Sequence, residues 1–242
     1  MIREHFEFRQ TITTILADDP KEIAAAKSGM MAARQEVERQ IALDSYFSAT
    51  LEPYAPKDPE RTPDRMARAA AVAGVGPMAA VAGAIAWAGV EAMVEEGATF
   101  ALVDNGGDIA LVSDREVKIG IYAGASPLSG RIAFLVPPQE EILGICTSSA
   151  TVGPSISFGT ADAVTVLSPD VAAADAWATA ICNRITPEDT PVLDALPGTG
   201  IRGVLAVIGD AVIRWGDLPP IVRARVDERL ITAGNDWRHG RS

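Results

Sequence analysis

Apolar and polar residues alternate through residues 5–17, with Phe6, Phe8, Thr11 and Thr13 among polar neighbours, and this period of two predicts one or two strands. Asp19-Pro20-Lys21-Glu22 then has the form of a helix start. Asp caps, Pro suits the first turn, and Glu22 closes a capping box, so a helix is expected to about Leu43. Thr62-Pro63 repeats that logic for a helix ending near Gly74, and Pro77 falls in the first turn of another that runs to about Glu96. Short apolar runs predict strands over 99–103, 109–112, 117–122, 131–136, 142–146 and 163–167. Ser168-Pro169-Asp170 caps a helix carrying Asp175, and Thr186-Pro187-Glu188-Asp189 caps a short one after it. Residues 204–208 and 211–215 form a hairpin around Gly209-Asp210, a last helix follows Pro219-Pro220, and the tail from Gly234 is expected to fray. No low-complexity linker and no internal repeat divides the chain, so residues 1–242 read as a single domain. Several strands in a row, mixed with helices that do not strictly alternate with them, predict an α+β fold with a largely antiparallel sheet.

Composition narrows the function by exclusion. At 48% apolar and 22% charged the chain can bury a real core. A net charge of −11 argues against a nucleic-acid surface and against an anionic membrane, because both need clustered Lys and Arg. Two cysteines, Cys146 and Cys182, make neither a disulfide framework nor a zinc cluster, and a reducing cytoplasm is the simplest setting. The two histidines, His5 and His239, lie near the chain ends, which speaks against Ser-His-Asp or Cys-His chemistry. The N-terminus has no apolar core of a signal peptide. Residues 69–90 carry no charge and could span a bilayer by length, but they are mostly Ala and Gly with Pro77 in the middle, which suits close packing between elements better than lipid.

Three segments carry candidate chemistry. Asn105-Gly106 is a strong hairpin signal, since a type I′ turn needs positive φ at its two central residues. Within Asp104-Asn105-Gly106-Gly107-Asp108 two readings stand side by side: a tight turn solvated by its acidic ends, or a turn whose bare glycines let a ligand reach backbone N–H groups while Asn105 and Asp108 supply directional bonds. Asp175 and Thr179 lie four apart on one helical face, either as a surface pair or as oxygen ligands for Mg²⁺ or Ca²⁺, completed by a backbone carbonyl and waters. Between them, residues 146–162 are dense in hydroxyls and small side chains and hold no basic residue. That stretch suits a Ser/Thr loop bonding to its own backbone, or a cradle for a phosphate or ring carbonyl. Cys146 reads as a small buried hydrophobe, with no base near it in sequence.

In order, the chain carries Ala80-Val81-Ala82-Gly83-Ala84, Asn105-Gly106-Gly107-Asp108, Thr147-Ser148-Ser149, and Val164-Thr165-Val166 followed by Ala174-Asp175-Ala176-Trp177-Ala178-Thr179-Ala180. That order and rough spacing resemble the ApbE superfamily across residues 76–182. A shorter, uncharacterised branch of that superfamily is more similar still, on Val75 through Gly83, Asn105 through Ile109, Thr147 through Gly153 and Ser157 through Ala163. The resemblance implies a T-fold-like, ApbE-like antiparallel sheet with helices packed on one side. It implies binding of FAD or a related flavin with Mg²⁺, and transfer of FMN from FAD to a Thr or Ser of a target protein. Carried over, Asp175 and Thr179 become side-chain ligands of the metal and Ala82 offers its carbonyl. Asn105, Gly106, Gly107, Asp108, Thr147, Ser148 and Ser149 then line the nucleotide pocket. Three departures stand against full transfer. Gly83 replaces the lysine of the family's Gly-Ile-Ala-Lys-Gly segment, the insertion with His and Pro after Thr-Ser-Gly is absent, and no lipid-anchor cysteine precedes the domain. The alternative is a non-catalytic module for a pterin, purine or flavin ring, a small-molecule partner held at the interface of a homo-oligomer.

Overall fold

The N-terminal alternation becomes a hairpin of β1 (Ile2–Phe8) and β2 (Thr11–Ala17), antiparallel, with Phe6 opposite Thr13. The structure, a computed structural model, describes residues 1–150, 159–226 and 232. Helix α1 (Pro20–Leu43) starts on the predicted capping box: Asp19 accepts from the Lys21 N–H at 2.8 Å, and Glu22 accepts from the Asp19 N–H at 3.0 Å. A short helix α2 (Tyr46–Ala49) and α3 (Arg61–Ala73) follow, α3 ending on Gly74 in the left-handed conformation that a helix stop favours. A 3₁₀ turn (Pro77–Ala80) runs into α4 (Val81–Glu95). The remaining elements are β3 (Phe100–Asn105), β4 (Asp108–Ser113), β5 (Val117–Gly120), β6 (Ile132–Val136), β7 (Gln139–Ser148), β8 (Ala163–Ser168), α5 (Val171–Cys182), a 3₁₀ turn (Pro191–Ala195), β9 (Gly203–Ile208), β10 (Ala211–Gly216) and β11 (Ile221–Arg223).

Eight strands form one sheet in the order β1-β2-β3-β4-β7-β8-β9-β10, every neighbouring pair antiparallel. Alternation then sorts side chains to two faces. Ala101, Val103, Ala110, Val112, Val164, Val166, Val204 and Ala206 join the helices in one core. Leu102, Ile109, Leu111, Leu143, Ile145, Leu167 and Leu205 point the other way. The fold is therefore the expected α+β arrangement, an antiparallel sheet with helices on one side. The far face is covered by a second sheet, β11-β6-β5, which buries Ile119, Phe134 and Val136 against it. Nothing in the alternation of the chain announces that second sheet.

Two expected helices are corrected. Residues 221–223, directly after Pro219-Pro220, form strand β11 where a helix start is expected, because the prolines hold the backbone extended, Ile221 and Val222 are β-branched, and the Pro220 carbonyl accepts from the Leu135 N–H at 2.8 Å; the remainder of that expected helix lies outside the described residues. Thr186 caps no helix either. It closes a local turn on itself, with the Asp189 N–H donating to its Oγ1 at 3.0 Å, and the helical turn that follows is 3₁₀ and begins at Pro191. The expected frayed tail lies outside the described residues.

The uncharged stretch resolves into the end of α3, the 3₁₀ turn and α4. Among the described residues one helical run, Pro77–Glu95, is long and apolar enough to cross a membrane, and α4 lies packed against α1, β3 and β4. Its contact with α1 is close enough to need glycine: a Cβ on Gly29 would sit 2.5 Å from the Ala88 carbonyl oxygen. The small residues of α4 thus serve packing inside the chain.

Candidate cation and nucleotide site

The β3–β4 hairpin differs from its expected form by one residue. Asn105 pairs with Asp108, so the two central turn residues are Gly106 and Gly107, with φ of 71° and 107°. Asn105 is therefore a strand residue, and its buried side chain points to the helix face, where Nδ2 donates to the Ala82 carbonyl at 3.0 Å. The Gly107 N–H is not open to a ligand. It donates to Asp104 Oδ1 at 2.9 Å, so the acidic residue before the turn braces it. Gly106, at the tip, is exposed.

Asp175 is not a surface residue. Helix α5 is buried all round except at Thr179, because it is sandwiched between the sheet and helices α3 and α4. Asp175 Oδ2 accepts from the Gly83 N–H at 2.8 Å, and the Ala82 N–H also favours its charged form. These are first-turn amides of α4, which has no side-chain cap of its own. Asp175 thus caps a neighbouring helix and sits at the positive end of its dipole. The approach is so close that a Cβ on Gly83 would lie 2.8 Å from both Asp175 Cβ and the Val171 carbonyl oxygen. That contact is the physical reason no lysine fits at this position.

Asp108 projects to the same face as Asn105, because β4 places Ala110 there and Ile109 opposite. Its cross-strand partner in β7 is Cys146, whose buried thiol donates to the Val171 carbonyl at 3.6 Å, at the start of the helix that carries Asp175. Asp108 Oδ1 is closed off from solvent and has no hydrogen-bond partner. Burial pushes the Asp108 carboxyl well above its usual range, and the nearby charge of Asp175 pushes it further. Burial likewise raises Asp175 to about 7, against the opposing pull of the Gly83 and Ala82 amides. The Cys146 thiol is raised by burial and by Asp108 and Asp175, so it is no ready nucleophile. The buried Asp175 and the half-buried Asp108, whose inner oxygen is bare, with no cationic side chain against either among the described residues, form a donor set suited to a hard divalent cation.

The structure brings together Ala82, Asn105, Asp108 and Asp175, and places the other predicted residues around them unequally. Thr179 lies one turn beyond Asp175 and alone in α5 retains exposure. Thr147 contributes backbone only: its N–H donates to the Gly107 carbonyl at 3.2 Å and also favours the charged form of Asp108. Its side chain lies on the opposite face, bonded to Thr165 at 2.9 Å, because β7 directs Cys146 to the helices and the next residue away from them. Ser148 returns to the helix side by the same alternation, and both Ser148 and Ser149 are partly exposed. The hydroxyl-rich residues 151–158 lie outside the described residues. Asp104 is the residue sequence reasoning undervalued, since only the register shows that it holds the turn. Two surface clefts, one lined by Glu36, Arg39, Lys57 and Glu60 and another by Pro53, Tyr54, Pro56 and Ala71, contain none of these residues.

A family model described as AbpE bacteria matches residues 3–201. The chain belongs to the AbpE bacteria family. A UPF0280 protein of Methanoculleus marisnigri is 84% identical over all of both chains. A UPF0280 protein of Methanosphaerula palustris is 58% identical over 97% of this chain and 99% of its own. Among solved structures, a mutant form of the flavin transferase ApbE from Vibrio cholerae superposes with a TM-score of 0.52 at 14% identity, covering 88% of this chain and 96% of that one. At that identity the likeness is one of fold, and it matches the sheet and helices found in this AbpE bacteria member.

Proposed function

We propose that the protein binds a flavin nucleotide, FAD, together with a divalent cation of the Mg²⁺ class. The observation that carries this reading is the bare, buried Oδ1 of Asp108 beside Asp175. Family membership and the fold likeness to a flavin transferase support it. Asp108, Asp175 and the Ala82 carbonyl would hold the cation. Asn105 fixes that carbonyl through its 3.0 Å bond. Thr179, partly exposed one turn from Asp175, would meet the cation from the solvent side. Ser148, Ser149 and the Gly106 tip would border the nucleotide. When bound, such a cation would supply the positive charge that polarises a pyrophosphate and offsets the negative charge released from it, the chemistry by which FMN could be transferred from FAD. Among the described residues no lysine or arginine lies against Asp108 or Asp175, so neutralising phosphate charge would fall to the cation and the backbone. The cytoplasm is the setting this nucleotide chemistry suits.

Titration of metal-free protein with FAD, followed by flavin fluorescence, tests the reading. Saturable binding is expected with Mg²⁺ and not without it, and Asp175→Ala should lose the Mg²⁺ dependence while remaining folded. Equal FAD binding in that variant would overturn the cation assignment. No FAD binding under either condition would favour the alternative, a module for a pterin or purine ring.

A further inference from the structure

Thr232 lies beyond residues 3–201, the span that the family model matches, yet it is buried against the main sheet. Its Oγ1 lies 2.6 Å from Asp104 Oδ2 and 2.8 Å from Thr14 Oγ1. Thr14 and Asp104 are directly opposed on β2 and β3, and both point to the face away from the helices, as Leu102 does two residues before Asp104. A hydroxyl carries a single proton. With Asp104 ionised, Thr232 must therefore donate to the carboxylate and accept the proton of Thr14. The other Asp104 oxygen takes the Gly107 N–H at 2.9 Å. Burial raises the Asp104 carboxyl, while Thr232, the Gly107 amide and Arg3 oppose that shift.

We propose that Thr232 is a positioning residue: the chain Thr14, Thr232, Asp104, Gly107 N–H locks the glycine turn from the far face of the sheet and so aims Asp108 at Asp175 on the near face. Besides the pairing of Asn105 with Asp108 and the Thr147 N–H on the Gly107 carbonyl, the Asp104 carboxylate is the side chain that takes the turn's own amide. Its two glycines are the most permissive residues for backbone conformation, and the tip is exposed. A charged acceptor gives a stronger bond to the turn amide than a neutral one does, so an ordered, ionised Asp104 matters more than its packing. Thr232 supplies the bond that favours that ionised state, from 128 residues away in the sequence.

The proposal rests on the proposed function only for the purpose of aiming Asp108. Its test does not require FAD or Mg²⁺ to bind, so the two can fail separately. Amide hydrogen exchange is read residue by residue by NMR on the full chain. In Thr232→Ala the Gly107 amide is expected to exchange about tenfold faster, while the amides of Val166 and Ala206 in the middle of the sheet keep their rates. Thr232→Ser, which restores the hydroxyl, should restore the slow rate. An unchanged Gly107 rate, a uniform rise that includes Val166 and Ala206, or a loss that serine does not repair would each overturn the proposal.

Discussion

Asp108→Asn stabilises the metal-free protein at pH 8, and the same variant gains nothing from Mg²⁺. In the native chain Asp108 and Asp175 are both raised by burial, and Asp108 further by the Asp175 charge. A carboxyl whose folded pKa lies above its unfolded value adds its stability at low pH and loses it as pH rises through the folded value. For Asp175 that window runs from about 4, the unfolded value, to about 7. A shift of that size corresponds to roughly 4 kcal/mol as an upper figure. Metal-free protein should therefore lose thermal stability between about pH 4 and pH 7, and Mg²⁺ should restore it by replacing the proton. The asparagine cannot carry a charge and puts a donor where one of the carboxylate oxygens was, which relieves the repulsion from Asp175. An unmet buried acceptor and a like-charge contact together are worth about 1–3 kcal/mol. For a chain of this size that is a rise of roughly 2–12 °C in Tm. Thermal scans of both proteins across pH, with Mg²⁺ and with chelator, measure it. A variant less stable than the parent at pH 8 would mean that the pair is not strained when empty.

Gly83→Ala is expected to be among the most damaging single changes in the helical layer. Alanine normally improves a helix interior by about 1 kcal/mol over glycine. Here the new Cβ would meet Asp175 Cβ and the Val171 carbonyl oxygen at 2.8 Å, and Asp175 Oδ2 at 3.3 Å. Two of these contacts are with the backbone and stem of α5, which is buried on nearly every side and cannot yield cheaply. Overpacking of this kind costs about 1–3 kcal/mol or more, so the steric term wins. The variant should also lose its Mg²⁺ response, because Asp175 is displaced from the α4 amides. Gly83→Lys, which rebuilds the lysine of the ApbE segment, should be worse still. Urea unfolding with and without Mg²⁺ reads both effects, and a more stable Gly83→Ala protein would show that α4 and α5 are not locked at this crossing.

Local signals were legible because their causes are local. Asp19 and Glu22 specify their capping box within four residues, and the alternation of β1 and β2 needs no partner to be read. The Asn-Gly signal places the turn one residue early: a Gly-Gly pair can occupy both positive-φ positions, which releases Asn105 into the strand and toward Ala82. The motif puts Thr147 in the pocket, but the pleat sends its hydroxyl to the far face and leaves only its N–H near Asp108. Register decides that, and register depends on pairing with β4 and β8. The β11 strand and the Thr232–Asp104 bond are long-range facts, joining residues that no window of sequence brings together.

The proposed cation is held between Asp108 and Asp175. The most direct measurement is anomalous diffraction from crystals grown with Mn²⁺, an octahedral oxygen-seeking stand-in for Mg²⁺. One strong peak is expected within bonding distance of an Asp108 oxygen, an Asp175 oxygen and the Ala82 carbonyl. Well-ordered crystals with no peak there, and Asp108 and Asp175 placed as in this structure, would contradict it.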